Sequence, residues 1–315
     1  MLKYVVGRLG QAVLVLWAAY TVSFIVLYLL PSDPVQILIN RSGTATTTSK
    51  AQIAQIAHEY GYDQPVIVQY FSQLGKALRL DFGQSVSMHQ PVSSLIAQNL
   101  PPTLALAGTA ILFTAVGGIV LAFLATYVGW RPLRRLLERL PALGVSFPTF
   151  FIGLLLIQLL SFDLHLFPSV GSATPATLVL PALTMAIPTS GILAQVLIRG
   201  MNDQLGEGYI TTARAKGLSK FAVHAVHAFR NAALPALTIL GLIVGYTVAG
   251  AVVAETVFSR LGIGRLAQQA VLAQDIPLVQ GIVVIAAAGF VLVNVVVDLV
   301  YPLLDPRVVV TARVA

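Results

Sequence analysis

Between Arg230 and Glu255 the chain reads N-A-A-L-P-A-L-T-I-L-G-L-I-V-G-Y-T-V-A-G-A-V-V-A, residues 231–254, 24 positions without a charge. An α-helix rises about 1.5 Å per residue and a bilayer core is about 30 Å thick, so about 20 such residues make one crossing. Applied outward, the same test finds charge-free runs of 24 residues between Arg8 and Asp33, 23 between Arg139 and Asp163, and 22 between Asp275 and Asp298. Two longer uncharged stretches are trimmed by polarity. Residues 82–130 open on Gln84, Ser85, Ser87, His89 and Gln90, which predicts a span after Pro101-Pro102 that ends near Val128. Residues 164–198 contain a polar turn from Pro168 to Thr177, leaving a span near Leu178 to Ile198. The total is six crossings.

Composition points the same way. Hydrophobic residues are 57% of the 315 and charged residues only 10%, against about 25% charged in soluble domains. Mean hydropathy is +0.85. An ordinary soluble enzyme is excluded. The absence of cysteine excludes disulfides, thiolate metal sites, iron–sulfur clusters and cysteine nucleophiles.

The placement of the basic residues orients the spans. One side holds Lys3, Arg8, Arg131, Arg134, Arg135, Arg139, Arg199, Arg214, Lys216, Lys220, Arg230, Arg307 and Arg313. The other holds Arg260 and Arg265 in a short loop, with Arg41, Lys50, Lys76 and Arg79 in a loop too long to weigh in topology. Both termini are therefore expected on the cytoplasmic side. Topology accounts for the net charge of +7 without nucleic acid. The first span is read as a retained anchor, because Leu30-Pro31-Ser32-Asp33-Pro34 follows it where a small-residue cleavage site would stand.

Outside the spans, residues 31–100 form a large extracytoplasmic loop with three helical stripes: Ile53, Ile56, Ala57, Tyr60; Ile67, Tyr70, Phe71, Leu74, Leu78; and Val92, Leu95, Ile96, Leu100. Each stripe needs cover, from the chain's own bundle, from lipid headgroups or from an extracytoplasmic partner. The division expected is 1–30 for the N-terminal segment and first helix, 31–100 for the loop, 101–301 for a five-helix core, and 302–315 for a cytoplasmic tail.

Residues 199–235, between spans four and five, carry the most information. From Gly206 they read G-E-G-Y-I-T-T-A-R-A-K-G-L-S. Gly217 is a helix stop and Ser219 a fresh N-cap, which predicts a short helix, a sharp turn and a second helix. Thr211, Thr212, Ala213 and Ala215 are small enough to let a partner approach, and Arg214 and Lys216 supply charge. His224 and His227 lie three apart on the second helix, too few ligands for a metal site. Pro181 and Pro188 each remove a helical hydrogen bond in span four. No span carries a Ser–His pair, paired aspartates or a metal-ligand set, so no catalytic residue is assigned.

At this loop the sequence resembles the permease subunits of ATP-binding-cassette (ABC) importers, in their dipeptide and oligopeptide branch. Thr212-Ala-Arg-Ala-Lys-Gly217, Leu218-Ser219 and Asn231…Leu234-Pro235 are similar to that branch's EAA-type loop. The likeness continues in Leu29-Leu-Pro-Ser-Asp-Pro34, Asp63-Gln-Pro65, Asp81-Phe-Gly83, Glu255-Thr-Val-Phe-Ser259, Gln280-Gly281 and Asp298…Leu304-Asp-Pro-Arg307. Departures from the pattern fall at Ala105, Gly208 and Arg260-Leu261.

The resemblance implies an all-α membrane protein with six transmembrane helices and the MetI-like fold of type I importer permeases. It implies a second related permease, two ATP-binding cassette ATPase domains, and an extracytoplasmic protein that delivers peptide. ATP and magnesium then belong to the ATPases. This chain has no cofactor and is not an enzyme, in keeping with its lack of a phosphate-loop motif. The implied coupling residues are Glu207, Tyr209, Thr212, Ala213, Arg214, Ala215, Lys216, Gly217, Leu218, Asn231, Leu234 and Pro235. Glu255, Arg260 and Arg265 are expected to face the binding protein. The rivals are another cargo (nickel, haem, glutathione or sugars) within the same family, and an ion-coupled secondary transporter.

Overall fold

Charge-free apolar sequence becomes helix here because a helix satisfies every backbone group within its own segment. The computed structural model describes residues 2–29, 64–172 and 174–304. The first stripe of the outer loop, residues 30–63, and the tail from residue 305 lie outside the described residues. The helices are α1 (Leu2–Leu29), α2 (Val66–Ala77), α3 (Val92–Tyr127), α4 (Arg131–Ser146), α5 (Thr149–Leu156), α6 (Val179–Leu205), α7 (Gly208–Ala215), α8 (Lys220–Ala222), α9 (Phe229–Val257), α10 (Ile263–Leu272) and α11 (Ile276–Leu304). Wider π turns at Ile157–Asp163 and Val223–Ala228 extend α5 and join α8 to α9. Among the described residues five stretches are long and apolar enough to span a bilayer, and α4 with the α5 segment makes a sixth when the bent pair is taken as one span.

Two boundaries differ from the sequence expectation. Span two does not begin after Pro101-Pro102: the third loop stripe and the span are one helix, Val92–Tyr127. The prolines leave the carbonyls of Ala97 and Gln98 without helical donors, at exposed positions where solvent can serve them. Span three is not straight but bends by 106° between α4 and α5. Pro148 is the cause. It excludes the helical conformation at Phe147, which is extended at φ −92°, ψ 139°. Pro181 also differs from expectation, since it sits in the first turn of α6, where N–H groups have no partner to lose. Only Pro188 interrupts that helix.

The chain divides into two units, Met1–Pro101 with Arg265–Leu292, and Pro102–Gly264 with Val293–Ala315. In the first, Tyr70 of α2 packs on α1, its ring 5.5 Å from that of Tyr20 and 5.3 Å from that of Phe24. Its hydroxyl lies 2.7 Å from Thr21 Oγ1. Of the rest of the second stripe, Ile67, Phe71 and Leu78 are exposed and Leu74 is half-buried. Val92, Leu95 and Ile96 of the third stripe are buried. Gly281 makes this possible, because a Cβ there would stand 2.6 Å from Val92 Cγ1.

Asp275 organises the outer turn of the first unit. Fully buried, it accepts bonds from Ser85 Oγ (2.5 Å), Ser87 N (2.9 Å) and Ser87 Oγ (2.7 Å), and its other oxygen caps α11 through Leu278 N (3.2 Å). The polar run read as plain loop is thus hooked onto a carboxylate. Asp275→Ala strands the buried Ser85 hydroxyl and removes the cap, and is expected to cost about 3 kcal/mol or more. Thermal unfolding in detergent and faster tryptic cutting after Arg79 check it, and an unchanged melting temperature refutes it.

In the second unit α6 is the central helix, packed by α9, α4 and α5. Its core joins Leu193, Ala194, Leu197 and Met201 of α6 to Ala122 and Ala125 of α3 and to Ala232, Ala236 and Ile243 of α9. The α4–α6 crossing is backbone-tight: a Cβ on Gly191 would lie 2.6 Å from the Pro141 carbonyl oxygen.

Candidate functional site

The segment after α6 folds as its residues dictate. Helix α7 runs from Gly208 to Ala215 and stops at Gly217, whose φ of +81° suits a residue without Cβ. Gly217 N–H donates to Arg214 O (2.9 Å) and Leu218 N–H to Ala213 O (3.2 Å), the paired bonds of a Schellman ending. Two residues later Ser219 Oγ accepts from Ala222 N (3.2 Å) and starts the next helix. Both turns expected from the sequence are present.

A small core holds α7 against this second helix: Ile210, Ala213 and Val223 are buried together, with Leu205 beside them. Tyr209 adds a polar tie. Its hydroxyl donates to Gln204 Oε1 (2.7 Å) and accepts from Asn231 Nδ2 (3.0 Å). Gln204 was not among the sequence candidates, and nothing in its local sequence marks it. His224 is buried, with Nδ1 2.8 Å from Lys220 O and Nε2 3.3 Å from Thr126 O, so backbone carbonyls occupy both ring nitrogens.

The exposed face of α7 and its turn presents Thr212, Arg214, Ala215, Lys216, Gly217 and Leu218, with Glu207 exposed at the N-cap position. The cations near the C-terminal end match the helix dipole. Three expectations need correction. Ala213 is not offered to a partner, because it is the small residue that lets α7 settle on Val223. Leu234 and Pro235 do not brace the loop, since both are exposed on α9, and Asn231 is the residue that reaches back. Chemically, the arrangement is a short polar knob fixed at both ends, suited to transmitting force.

Glu255 and Arg260 also need correction, for neither faces outward. Glu255 is fully buried and accepts from Thr103 Oγ1 (2.6 Å) and Gly264 N (2.7 Å), while Thr103 Oγ1 accepts from Ile263 N (2.8 Å). Arg260 is 3% exposed, and its Nη1 donates to Gly171 O (3.2 Å), Thr177 O (3.0 Å) and Thr177 Oγ1 (3.0 Å). Burial pushes its guanidinium below the ordinary value, and the nearby Glu255 charge opposes that shift. The pair ties residues 258–264 to Thr103 of α3, to the end of α9 and to the turn of residues 171–177 before α6. Arg265 is half-buried.

Comparison with known proteins supplies the context. Residues 115–310 match the family described as binding-protein-dependent transport system inner membrane component, and residues 1–107 match its N-terminal region. A putative peptide transport system permease protein of Brucella abortus is 37% identical over 98% of this chain and 99% of its own length. The glutathione transport system permease protein of Salmonella typhimurium is 34% identical with the same coverage. Among solved structures, the inward-facing methionine ABC transporter MetNI is similar at a TM-score of 0.54 and 16% identity, over 67% of this chain and 96% of that one, a likeness of fold. The helical architecture, the six apolar crossings and the end-to-end matches agree, and the chain belongs to the inner-membrane permease family of binding-protein-dependent ABC importers, in its peptide branch.

Proposed function

We propose that this permease imports short peptides as one half of a paired pore, the other half being a second, related permease. Two cytoplasmic ATPase domains grip the face formed by Thr212, Arg214, Ala215, Lys216, Gly217 and Leu218. Glu207, Tyr209 and Asn231 support it from behind. Both chain termini share that cytoplasmic side, and an extracytoplasmic binding protein delivers cargo opposite. ATP binding draws the ATPases together and moves the knob, which tips the bundle between two packings.

The observation that carries the coupling role is the rigidity of α7: Schellman-closed at one end, re-capped two residues on, and seated on Val223 through Ile210 and Ala213. The cargo class is supported by the two relatives, one named for peptide and the other for glutathione, itself a tripeptide.

The test is reconstitution in vesicles of the complex that co-purifies with the chain, followed by uptake of labelled tripeptides. Uptake is expected to require ATP on the α7 side and to be absent under a proton gradient alone. Gradient-driven uptake by the chain without ATPases refutes the reading. ATP-driven uptake confined to nickel, haem or sugars refutes the peptide assignment and leaves the coupling intact.

A further inference from the structure

We propose that the second unit carries a binding site for a phosphate-bearing anion, in a cavity of about 650 Å³ beside the α7 knob. The inference does not rest on the transported cargo. The cavity shares Arg214 with the face proposed above for the ATPases, and the test therefore uses Arg131 and Arg134, which that face does not include. Four cations from three segments line the cavity: Arg131 and Arg134 of α4, Arg214 of α7 and Lys220 of α8. Among the described residues no carboxylate lines it. The nearest acid on α4, Glu138, takes Arg134 Nε at 2.9 Å.

Two of the cations are held in place before any ligand arrives. Arg134 is fixed by Glu138 and by Asn202 Oδ1, which accepts from Nη2 at 3.3 Å. Lys220 is fixed by the Tyr127 carbonyl and lies 4.5 Å above the centre of the Tyr127 ring. Helix α4 begins at the same cavity. Its N-cap residue, Trp130, gives no side-chain cap and no acid stands in the first turn, so its amide dipoles add to the positive field. Placement of basic residues on this side follows from topology. Their convergence on a hollow without an acid does not.

A planar guanidinium meets a phosphate through two parallel hydrogen bonds, which favours phosphate over a simple halide. The volume exceeds a bare phosphate and leaves room for an esterified group. Tyr127 and the exposed Trp130 flank the lining residues Val128, Gly129 and Arg131 in sequence, an aromatic pair of the kind expected at a headgroup boundary. The ligand is therefore a phosphate monoester or diester, supplied as an anionic lipid headgroup or as a soluble phosphate compound. Glycerol phosphate chemistry is common to both.

The test uses the full chain in neutral detergent, titrated by native mass spectrometry and thermophoresis with short-chain phosphatidylglycerol, glycerol 3-phosphate and inorganic phosphate. Saturable phosphatidylglycerol binding is expected, weakened at least tenfold by the double variant Arg131→Gln/Arg134→Gln. Arg139→Gln, on the same helix but off the cavity, is expected to leave it unchanged. Binding of glycerol 3-phosphate as tight as that of the lipid supports the soluble source. Melting temperatures of the variants separate lost binding from lost fold, and Lys220→Gln serves as the second variant if the double change unfolds the chain. Equal binding by wild type and double variant, an equal loss in Arg139→Gln, or binding of none of the three probes overturns the proposal. Binding only of an acidic peptide offered in the same titration also overturns it and marks the hollow as a protein contact.

Discussion

Gly217→Val is expected to leave the chain inserted and folded while lowering ATP-driven uptake at least tenfold. The native φ of +81° lies in the left-handed region, where an L side chain costs about 1–2 kcal/mol and a β-branched one more. Space is not the obstacle, because a Cβ at Gly217 meets nothing within 4 Å. Relief comes from opening the turn, which breaks the Leu218-to-Ala213 and Gly217-to-Arg214 bonds that set the angle between α7 and the Ser219-capped helix. The knob then yields under load. Gly217→Asn separates strain from bulk, since asparagine enters this region readily, and its uptake should fall by no more than about twofold. Membrane abundance of each variant is measured beside uptake. Wild-type transport by the valine variant would remove the coupling role from this turn.

Glu255→Ala is expected to lower stability by about 3–5 kcal/mol, the range for breaking a buried, partnered charge. The carboxylate answers the Thr103 hydroxyl and the Gly264 amide in a space closed to solvent, and Thr103 passes the connection to the Ile263 amide. A methyl group leaves those donors without an acceptor. It also removes the anion that offsets the buried Arg260 guanidinium. Glu255→Gln keeps one acceptor oxygen but points an amide at donors, so about half the loss is expected. Thermal unfolding in detergent, with hydrogen exchange across residues 258–264, reads both variants. A wild-type melting temperature in the alanine variant would show that the segment is held by packing alone.

Much of this was legible in the residues, for reasons that also mark where legibility ends. Charge-free length is one-dimensional, so the number of crossings could be read directly. Direction could not, and the run from Arg139 to Asp163 hid a bend of 106°. Phe147-Pro148 carries that signal, because a proline disfavours helix at the residue before it. Gly217 and Ser219 announced their turns because glycine in the left-handed region and serine at an N-cap act within a few residues. Ala213 misled because smallness serves approach from outside and close packing inside equally well. Asp275 reads in sequence only as the edge of a span, since its partners Ser85 and Ser87 stand about 190 residues away and only the fold joins them. Charge suggests water, and on that ground alone Glu255 and Arg260 read as outward residues. Their partners are backbone and hydroxyl groups that no local pattern reveals.

The corner at Pro148 has a bearing on the surrounding lipid. The apolar run Thr149–Asp163 has fifteen residues, about 22 Å of helix against a hydrocarbon slab of about 30 Å. Its outer face shows Phe150, Leu154, Leu159 and Phe162. Acyl chains bordering that face must shorten or splay to meet it, a mismatch that costs fractions of a kcal/mol per ångström. Two membranes with identical headgroups and different chain lengths are therefore unequal solvents for this protein.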